Sequence, residues 1–446
     1  MRDDRIGGLT LVRGIGLLGA ALVVLNSVVG AGIFALPSEV AVRAGALSPW
    51  LFLACGLLVI TIVLAWAELA SYFRDSGGPV LYAGTAFGPL AGFTSGWLYF
   101  LSRMTAFAAN ANVLVIYLAT MWSPLEGGFG RGVAIVAICG ALVVANYLGV
   151  RDGVRTVGLL TVLKLAPLLL LVALGLPHVG GDVLLPDALA IADPGGTTLL
   201  LIYAYVGFEA ATITAGETAR PRRDLPRALL ATVAATAALY FLIVLVYVAV
   251  LPGGGEARAT LVDLGRELAG PAGAAAITAA AIFSIGGNLA SNMLTVPRLT
   301  YALAEQRLLP AWFARVHPRF RTPGNSIVFL GVLATLFAVT GSFFWLAAAS
   351  SLTRLIVYGL CIAALPVIRR RADAEARARA FRLRGGPVIP VVALALCAWV
   401  AFQSEPAAWR MTGLLLVGGL LLFALAARAA RAREATRASG HPPGRS

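Results

Sequence analysis

What most limits the fold of this chain is the recurrence of long apolar blocks separated by short polar breaks. Between Pro323 and Thr353 there is not one charged residue, and comparable blocks recur along the whole sequence. A helix needs about 20 mostly apolar residues to cross the hydrocarbon of a bilayer. No water is present there to receive backbone groups, so helices and closed barrels are the only spanning structures. The strict apolar–polar alternation of barrel strands is absent, and the chain is expected to be an all-α integral membrane protein. A soluble domain of 446 residues would also need more surface charge than 13% charged and 59% hydrophobic residues supply.

About twelve spans are expected. They lie near Ile15–Arg43, Ser48–Tyr72, Gly88–Trp122, Gly132–Val150, Val157–Leu176, Gly195–Gly216, Ala228–Leu251, Pro271–Leu303, Asn325–Gly341, Phe344–Ile368, Pro387–Ser404 and Met411–Ala427. Gly341-Ser342 is the turn that divides the ninth from the tenth. Arginine placement sets the orientation. With both termini cytoplasmic, the inner side collects Arg2, Arg5, Arg13, Arg74, Arg151, Arg155, Arg220 to Arg227, Arg307 to Arg321, Arg369 to Arg384 and the tail from Arg428. The outer side keeps only Arg43, Arg131, Arg258, Arg266 and Arg410, and the outer segment His178–Pro194 has Asp182, Asp187 and Asp193 but no arginine. The net charge of +14 is therefore read as topology in a multi-pass protein of the cytoplasmic membrane. Nucleic acid is not an expected partner; the lipid bilayer is.

Other classes fit poorly. Cys55, Cys139, Cys361 and Cys397 all fall in apolar blocks, no CxxC pair exists, and the three histidines are far apart. No metal or other cofactor is expected. An enzyme would usually show a loop of clustered His, Asp or Glu, or a sizeable soluble domain. Neither is present, so no enzymatic activity is expected. No small-residue cleavage site follows the first apolar block, so no cleaved signal peptide is read. The tail from Ala429 to Ser446 reads as a short amphipathic end followed by disorder.

Two spans carry internal breaks. The first runs Leu25-Asn26-Ser27-Val28-Val29-Gly30-Ala31-Gly32-Ile33-Phe34, with Pro37 close behind, and the glycine pair weakens the helix at mid-membrane depth. The sixth runs Tyr203-Ala204-Tyr205-Val206-Gly207-Phe208-Glu209-Ala210, a glycine and a carboxylate at comparable depth. Interrupted helices in corresponding positions of two halves point to a transporter's binding site. The first and sixth of twelve spans fit a repeat of five, inverted because five is odd. At such a break the freed N–H groups favour an anion and the freed carbonyls a cation. A zwitterionic amino acid supplies both. Close packing through small residues is the alternative use of Gly30 and Gly32.

Val29-Gly30-Ala31-Gly32-Ile33-Phe34 resembles the first-helix motif of the amino acid–polyamine–organocation (APC) superfamily of permeases. Val206-Gly207-Phe208-Glu209 and the run Gly216-Glu217-Thr218-Ala219-Arg220-Pro221-Arg222-Arg223-Asp224-Leu225-Pro226-Arg227-Ala228 resemble its sixth helix and following loop. Leu308-Leu309-Pro310, His317-Pro318 and Thr322-Pro323 resemble the loop after its eighth helix. The likeness extends from about Gly14 to Ile368. It implies a LeuT-type fold: a five-helix repeat over 14–177, an inverted one over 195–370, two further helices over 385–428, and cytoplasmic tails at 1–13 and 429–446. By position it implies that the substrate carboxylate meets the amides of Ala31 and Gly32, where many members have a serine in place of Ala31. The amine would meet carbonyls of Val28, Tyr203 and Val206. Tyr203 and Tyr205 would wall the site.

Arginine occurs thirty-four times and lysine once, at Lys164 in the fifth span. A basic group at a helix centre costs about 2.5–3.5 kcal/mol on insertion scales. Arginine stays charged, whereas a buried lysine is able to give up its proton. The resemblance agrees, because many proton-linked or sodium-independent members carry a lysine there. Lys164, Glu209 and Tyr205 are therefore candidates for proton coupling or gating, a fixed ammonium being the alternative for Lys164. Glu68 and Glu217 read as structural ties. Arg103, Arg298 and Arg354 are expected to pair with carbonyls or carboxylates and receive no transport role. Asn288, Ser291 and Asn292 form a polar stripe. The expected function is secondary active transport of amino acids by alternating access, as a proton symporter or an antiporter. An amine or polyamine carrier and a non-transporting amino acid sensor are the alternatives.

Overall fold

The computed structural model describes residues 16–73, 77–149, 154–184, 191–213, 218, 220–251, 259–383 and 386–439. Several features read from the sequence lie outside these residues: the tail 1–13, Arg74, Arg151, Asp187, Gly216, Glu217, Arg258, Arg384 and everything beyond Ser439.

The described residues form helices joined by short turns. The first span is two helices, α1 (Leu17–Val28) and α2 (Gly32–Ala44), followed by α3 (Ser48–Ser71). A short α4 (Gly78–Phe87) precedes the long α5 (Pro89–Ala119); α6 (Gly128–Leu148) and α7 (Val154–Gly175) complete the first half. After the four-residue α8 (Gly181–Leu184), the sixth span is again two pieces, α9 (Pro194–Tyr205) and α10 (Ala210–Ile213). Then follow α11 (Pro221–Val250), α12 (Leu261–Glu305), α13 (Gly324–Thr340) and α14 (Phe343–Arg371). A short α15 (Ala374–Arg379) leads to α16 (Val388–Phe402) and α17 (Pro406–Ser439). By length and composition, eight helical stretches among the described residues can cross a bilayer, with α2 and α3 run together; α1, α13 and α16 are shorter apolar helices. Joining α1 to α2 and α9 to α10 across their breaks gives the twelve spans expected.

Element ends differ from the sequence reading where prolines start new helices. The eighth span was placed at Pro271–Leu303, but helix begins ten residues earlier, at Leu261, where Thr260 and Asp263 form a capping box. The backbone leaves helical geometry at Ala269 (φ −142°) and Gly270 (φ 60°), so Pro271 opens a second segment after a sharp bend. Likewise α11 starts at Pro221 rather than Ala228, with Asp224 in its first turn facing the positive end of the helix dipole.

Burial sorts the helices into a centre and a rim. Most of α5 is enclosed, from Phe93 to Tyr117, whereas α6 and α17 bury little. The outward residues of α17, Leu414, Val417, Leu421 and Leu425, are exposed, as a lipid-facing helix requires. The broken helices lie against the enclosed ones. Ser102 on α5 and Ser350 on α14 exchange hydroxyl-to-carbonyl hydrogen bonds of 2.9 Å in both directions, which fixes these two helices beside the centre.

Candidate functional site

The break between α1 and α2 is built from backbone. The N–H of Val29 still reaches Leu25 O, but that of Gly30 turns back to Val28 O at 2.9 Å, a tight three-residue turn. Ala31 then caps α2 and has no side-chain group to offer its first amides, so those N–H groups have no intrahelical acceptor. In the sixth span α9 stops at Tyr205, Val206 is extended (ψ 153°), and Gly207 adopts φ +118°, a conformation that side chains resist. The two breaks touch each other. A Cβ on Gly207 would lie 2.5 Å from Ser27 O, and one on Gly32 would lie 3.0 Å from Ala204 Cα. Glycine at these two places lets the interrupted backbones meet.

Between them lies a cavity of about 30 Å³, room for about two water molecules. Ser27, Val28, Gly30, Ala31 and Gly32 line it from one break, and Tyr203 and Val206 from the other. Arg103, Ala106 and Asn110 of α5, Asn288 and Asn292 of α12, and Arg354 of α14 close the remaining sides. The amides form a chain. Tyr203 OH donates to Asn110 Oδ1 (2.8 Å), and Asn110 Nδ2 and Asn292 Nδ2 both donate to Asn288 Oδ1 (2.8 Å each). Asn288 Nδ2 reaches the Ser27 carbonyl at 3.4 Å. The buried Asn292 Oδ1 has no partner among the described residues.

Two ionisable groups flank the cavity. Lys164 is wholly buried, its Nζ 2.6 Å from Asn26 Oδ1, 3.0 Å from Val29 O and 3.3 Å from Asn26 O. Ser284 adds a second bond to Val29 O at 3.1 Å. The Lys164 amino group thus occupies the carbonyl end of α1, where the helix dipole is negative. Glu209 follows the other break. Its Oε2 accepts from Gly207 N (3.1 Å) and Tyr358 OH (2.7 Å), and its Oε1 lies 3.1 Å from Arg354 Nη1. Arg354 also donates through Nε to Ser102 Oγ (2.8 Å) and stands over the Tyr99 ring.

Of the residues singled out in the sequence, Val28, Gly30, Ala31, Gly32, Tyr203 and Val206 line the cavity together. Gly207 lies at the contact of the two breaks, while Lys164 and Glu209 flank the site. Tyr205 points elsewhere: its hydroxyl donates to Phe52 O at 2.7 Å and its ring packs on Tyr240, so it forms no wall of the cavity. The two arginines correct the sequence reading more seriously. Arg354 and Arg103 were given no part in the site, yet both line the cavity. As expected, Arg354 pairs with a carboxylate, Glu209, and Arg298 with a carbonyl, that of Leu294. Arg103 was expected to pair and instead makes no hydrogen bond or ion pair among the described residues. An ionisable residue inside a span is itself a signal of function, and both arginines carried that signal.

A family model described as "Amino acid permease" matches residues 15–410. The serine/threonine exchanger SteT of Bacillus subtilis is 29% identical over 402 residues, 86% of this chain and 89% of that protein. A methylthioribose transporter of the same organism is 25% identical over 441 residues, 94% of each chain. Among solved structures, MhsT in complex with L-phenylalanine superposes with a TM-score of 0.59 at 16% identity, covering 89% of this chain and all of that one. The superposition shows a shared fold, which is the LeuT type.

Proposed function

The chain belongs to the amino acid permease family, and from that premise we propose that it is a secondary active transporter whose cargo sits between the two facing helix breaks. It is a multi-pass membrane protein and an amino acid transporter; the seating, the coupling and the direction of the termini are the proposed part. The observation that carries the proposal is the meeting of α1/α2 with α9/α10 around one cavity. The free amides of Ala31 and Gly32 suit a carboxylate. The carbonyls of Tyr203 and Val206 at the end of α9, with that of Val28, which already accepts from Gly30 N and at 3.4 Å from Tyr240 OH, suit an ammonium group. Tyr203 packs edge-on against Phe343 at 5.7 Å and supplies the aromatic wall.

Alternating access follows from the same parts. Helix α1 packs along α11 and α9 along α14, while the breaks uncouple each half-helix from its other half, so each is proposed to tilt with its neighbour against the enclosed α5 and α12. Lys164 is the proposed coupling element. Among the described residues it bonds only to α1 and its unwound end, so loss of its proton would release at least one of the acceptors it holds, two carbonyls and one amide oxygen, because the neutral amine keeps two N–H donors. A proton symporter or an exchanger uses that release at different points of the cycle. The arginine distribution supports cytoplasmic N- and C-termini and residence in the cytoplasmic membrane. A polyamine carrier is disfavoured, because Arg103 and Arg354 would face a polycation across the cavity.

The test is transport by the purified protein in proteoliposomes. Radiolabelled amino acid should accumulate against unlabelled amino acid inside, or under an inward proton gradient. Binding without flux would make the protein a sensor and overturn the proposal. Lys164→Ala should abolish pH-gradient-driven accumulation; full retention would remove Lys164 from the coupling.

A further inference from the structure

Arg103 is the part of the cavity that a neutral amino acid leaves unused. It lies on α5, 7% exposed, and what exposure it has is to the cavity it lines. The one carboxylate near enough to act on it, Glu209, is shared with Arg354. Among the described residues, the buried acids are Glu68, Glu209 and Asp224. Glu68 is taken by Arg369 and Asp224 by Arg220. Glu209 holds Gly207 N and Tyr358 OH through Oε2, while its Oε1, which accepts no hydrogen bond among the described residues, faces the charges of both Arg354 and Arg103. Arg354 Nη2 is a further buried donor without a partner. Arg103 and Arg354 thus share a single carboxylate at the centre of the fold, which leaves one positive charge in excess. An uncompensated buried charge is costly, and a cargo that brings the missing negative charge removes the cost.

The cavity also holds two separate anion-seeking groups. The N-terminus of α2, at Ala31 and Gly32, comes from one side, and the Arg103 guanidinium from α5 on another. One carboxylate satisfies one of them. The unpartnered Asn292 Oδ1 and the carbonyl of Ser27 add acceptors for an ammonium.

Resting on the cargo site proposed above, we infer that the substrate is an amino acid with an anionic side chain, its distal carboxylate received by Arg103 and its α-carboxylate by the start of α2. The planar guanidinium suits a carboxylate better than an ammonium does, so Arg103 sets specificity for charge.

The experiment compares ligands of matched shape on the full-length protein in nanodiscs: L-aspartate against L-asparagine, and L-glutamate against L-glutamine. Binding is read by competition and by thermal stabilisation. The acid of at least one pair should bind tenfold or more tightly than its amide. Arg103→Gln should reduce that ratio at least tenfold, and Arg103→Lys should keep its direction. If Arg103→Gln fails to fold, the wild-type ratios and the lysine variant decide. Preference for the amides, or an Arg103→Gln variant that weakens acid and amide equally, overturns the inference while leaving amino acid transport standing. If neither acids, their amides nor other amino acids bind at all, the cargo site itself is wrong.

Discussion

Two buried carboxylates, Glu209 and Glu68, each meet an arginine of α14, and they are used in opposite ways. Arg354 and Arg369 stand fifteen positions apart on that helix, roughly 22 Å along its axis. Glu68 is saturated. Arg369 grips both its oxygens, through Nε at 2.8 Å and Nη2 at 2.7 Å, and Leu383 N donates to Oε2 at 3.0 Å. Arg369 also reaches Gly386 O, so the pair ties α3, the end of α14 and the connection to α16 into one knot. Glu209 sits at a broken helix, and its neighbourhood is left incomplete: Arg354 Nη2 and Glu209 Oε1 have no hydrogen-bond partner and Arg103 makes no close ion pair among the described residues. A saturated pair is a lock. An unsaturated one is a place where a ligand is able to complete the network.

The contrast breaks most easily at Arg354. Arg354→Gln leaves Glu209 as a buried, unpaired charge, which costs about 3–5 kcal/mol; thermal unfolding should show that loss and proteoliposome uptake should fall to background. The double variant Glu209→Gln/Arg354→Gln should regain much of the stability and none of the uptake. If uptake survives, the pair is a lock like the other. Glu68→Gln should cost about 2 kcal/mol, because Arg369 is 22% exposed and turns to water. It should slow uptake while leaving equilibrium binding of the cargo unchanged, and a loss of binding would place Glu68 in the site. The smallest effects separate the two tyrosines. Tyr358→Phe removes a 2.7 Å bond to Glu209 and should cost about 1.5 kcal/mol. Tyr72→Phe removes a 3.4 Å contact with Glu68 and should stay within about 0.5 kcal/mol. Equal costs from the two tyrosines would erase the distinction.

The spans were legible because bilayer thickness sets a length and apolar character that any sequence must display. The breaks were legible because glycine is costly in a helix, paired at Gly30 and Gly32 in the first span and beside the intramembrane Glu209 at Gly207 in the sixth. Arg103 was visible as a charge in an apolar span, yet its direction was not. Helix α5 is enclosed nearly all round, so it lacks the polar face that would say which side looks into a cavity. Tyr205 illustrates the same limit. Two residues from Tyr203 along one helix, it is turned about 200° away, and only the packing of α3 and α11 decides which of the two meets the site. The bend at Ala269–Gly270 was hidden for a different reason: Leu261–Leu268 carries Asp263, Arg266 and Glu267 and so does not read as part of an apolar span, and Pro271 marked the start of the expected span without revealing what preceded it.

The proposed seating is tested most directly by an experimental structure of the protein at saturating concentration of a transported amino acid. The cargo carboxylate should lie within hydrogen-bond distance of the Ala31 or Gly32 amide, with the chain still unwound at Val29–Ala31 and Val206–Glu209. Continuous helices through Gly30 and Gly207, or cargo bound elsewhere with this cavity empty, would contradict it.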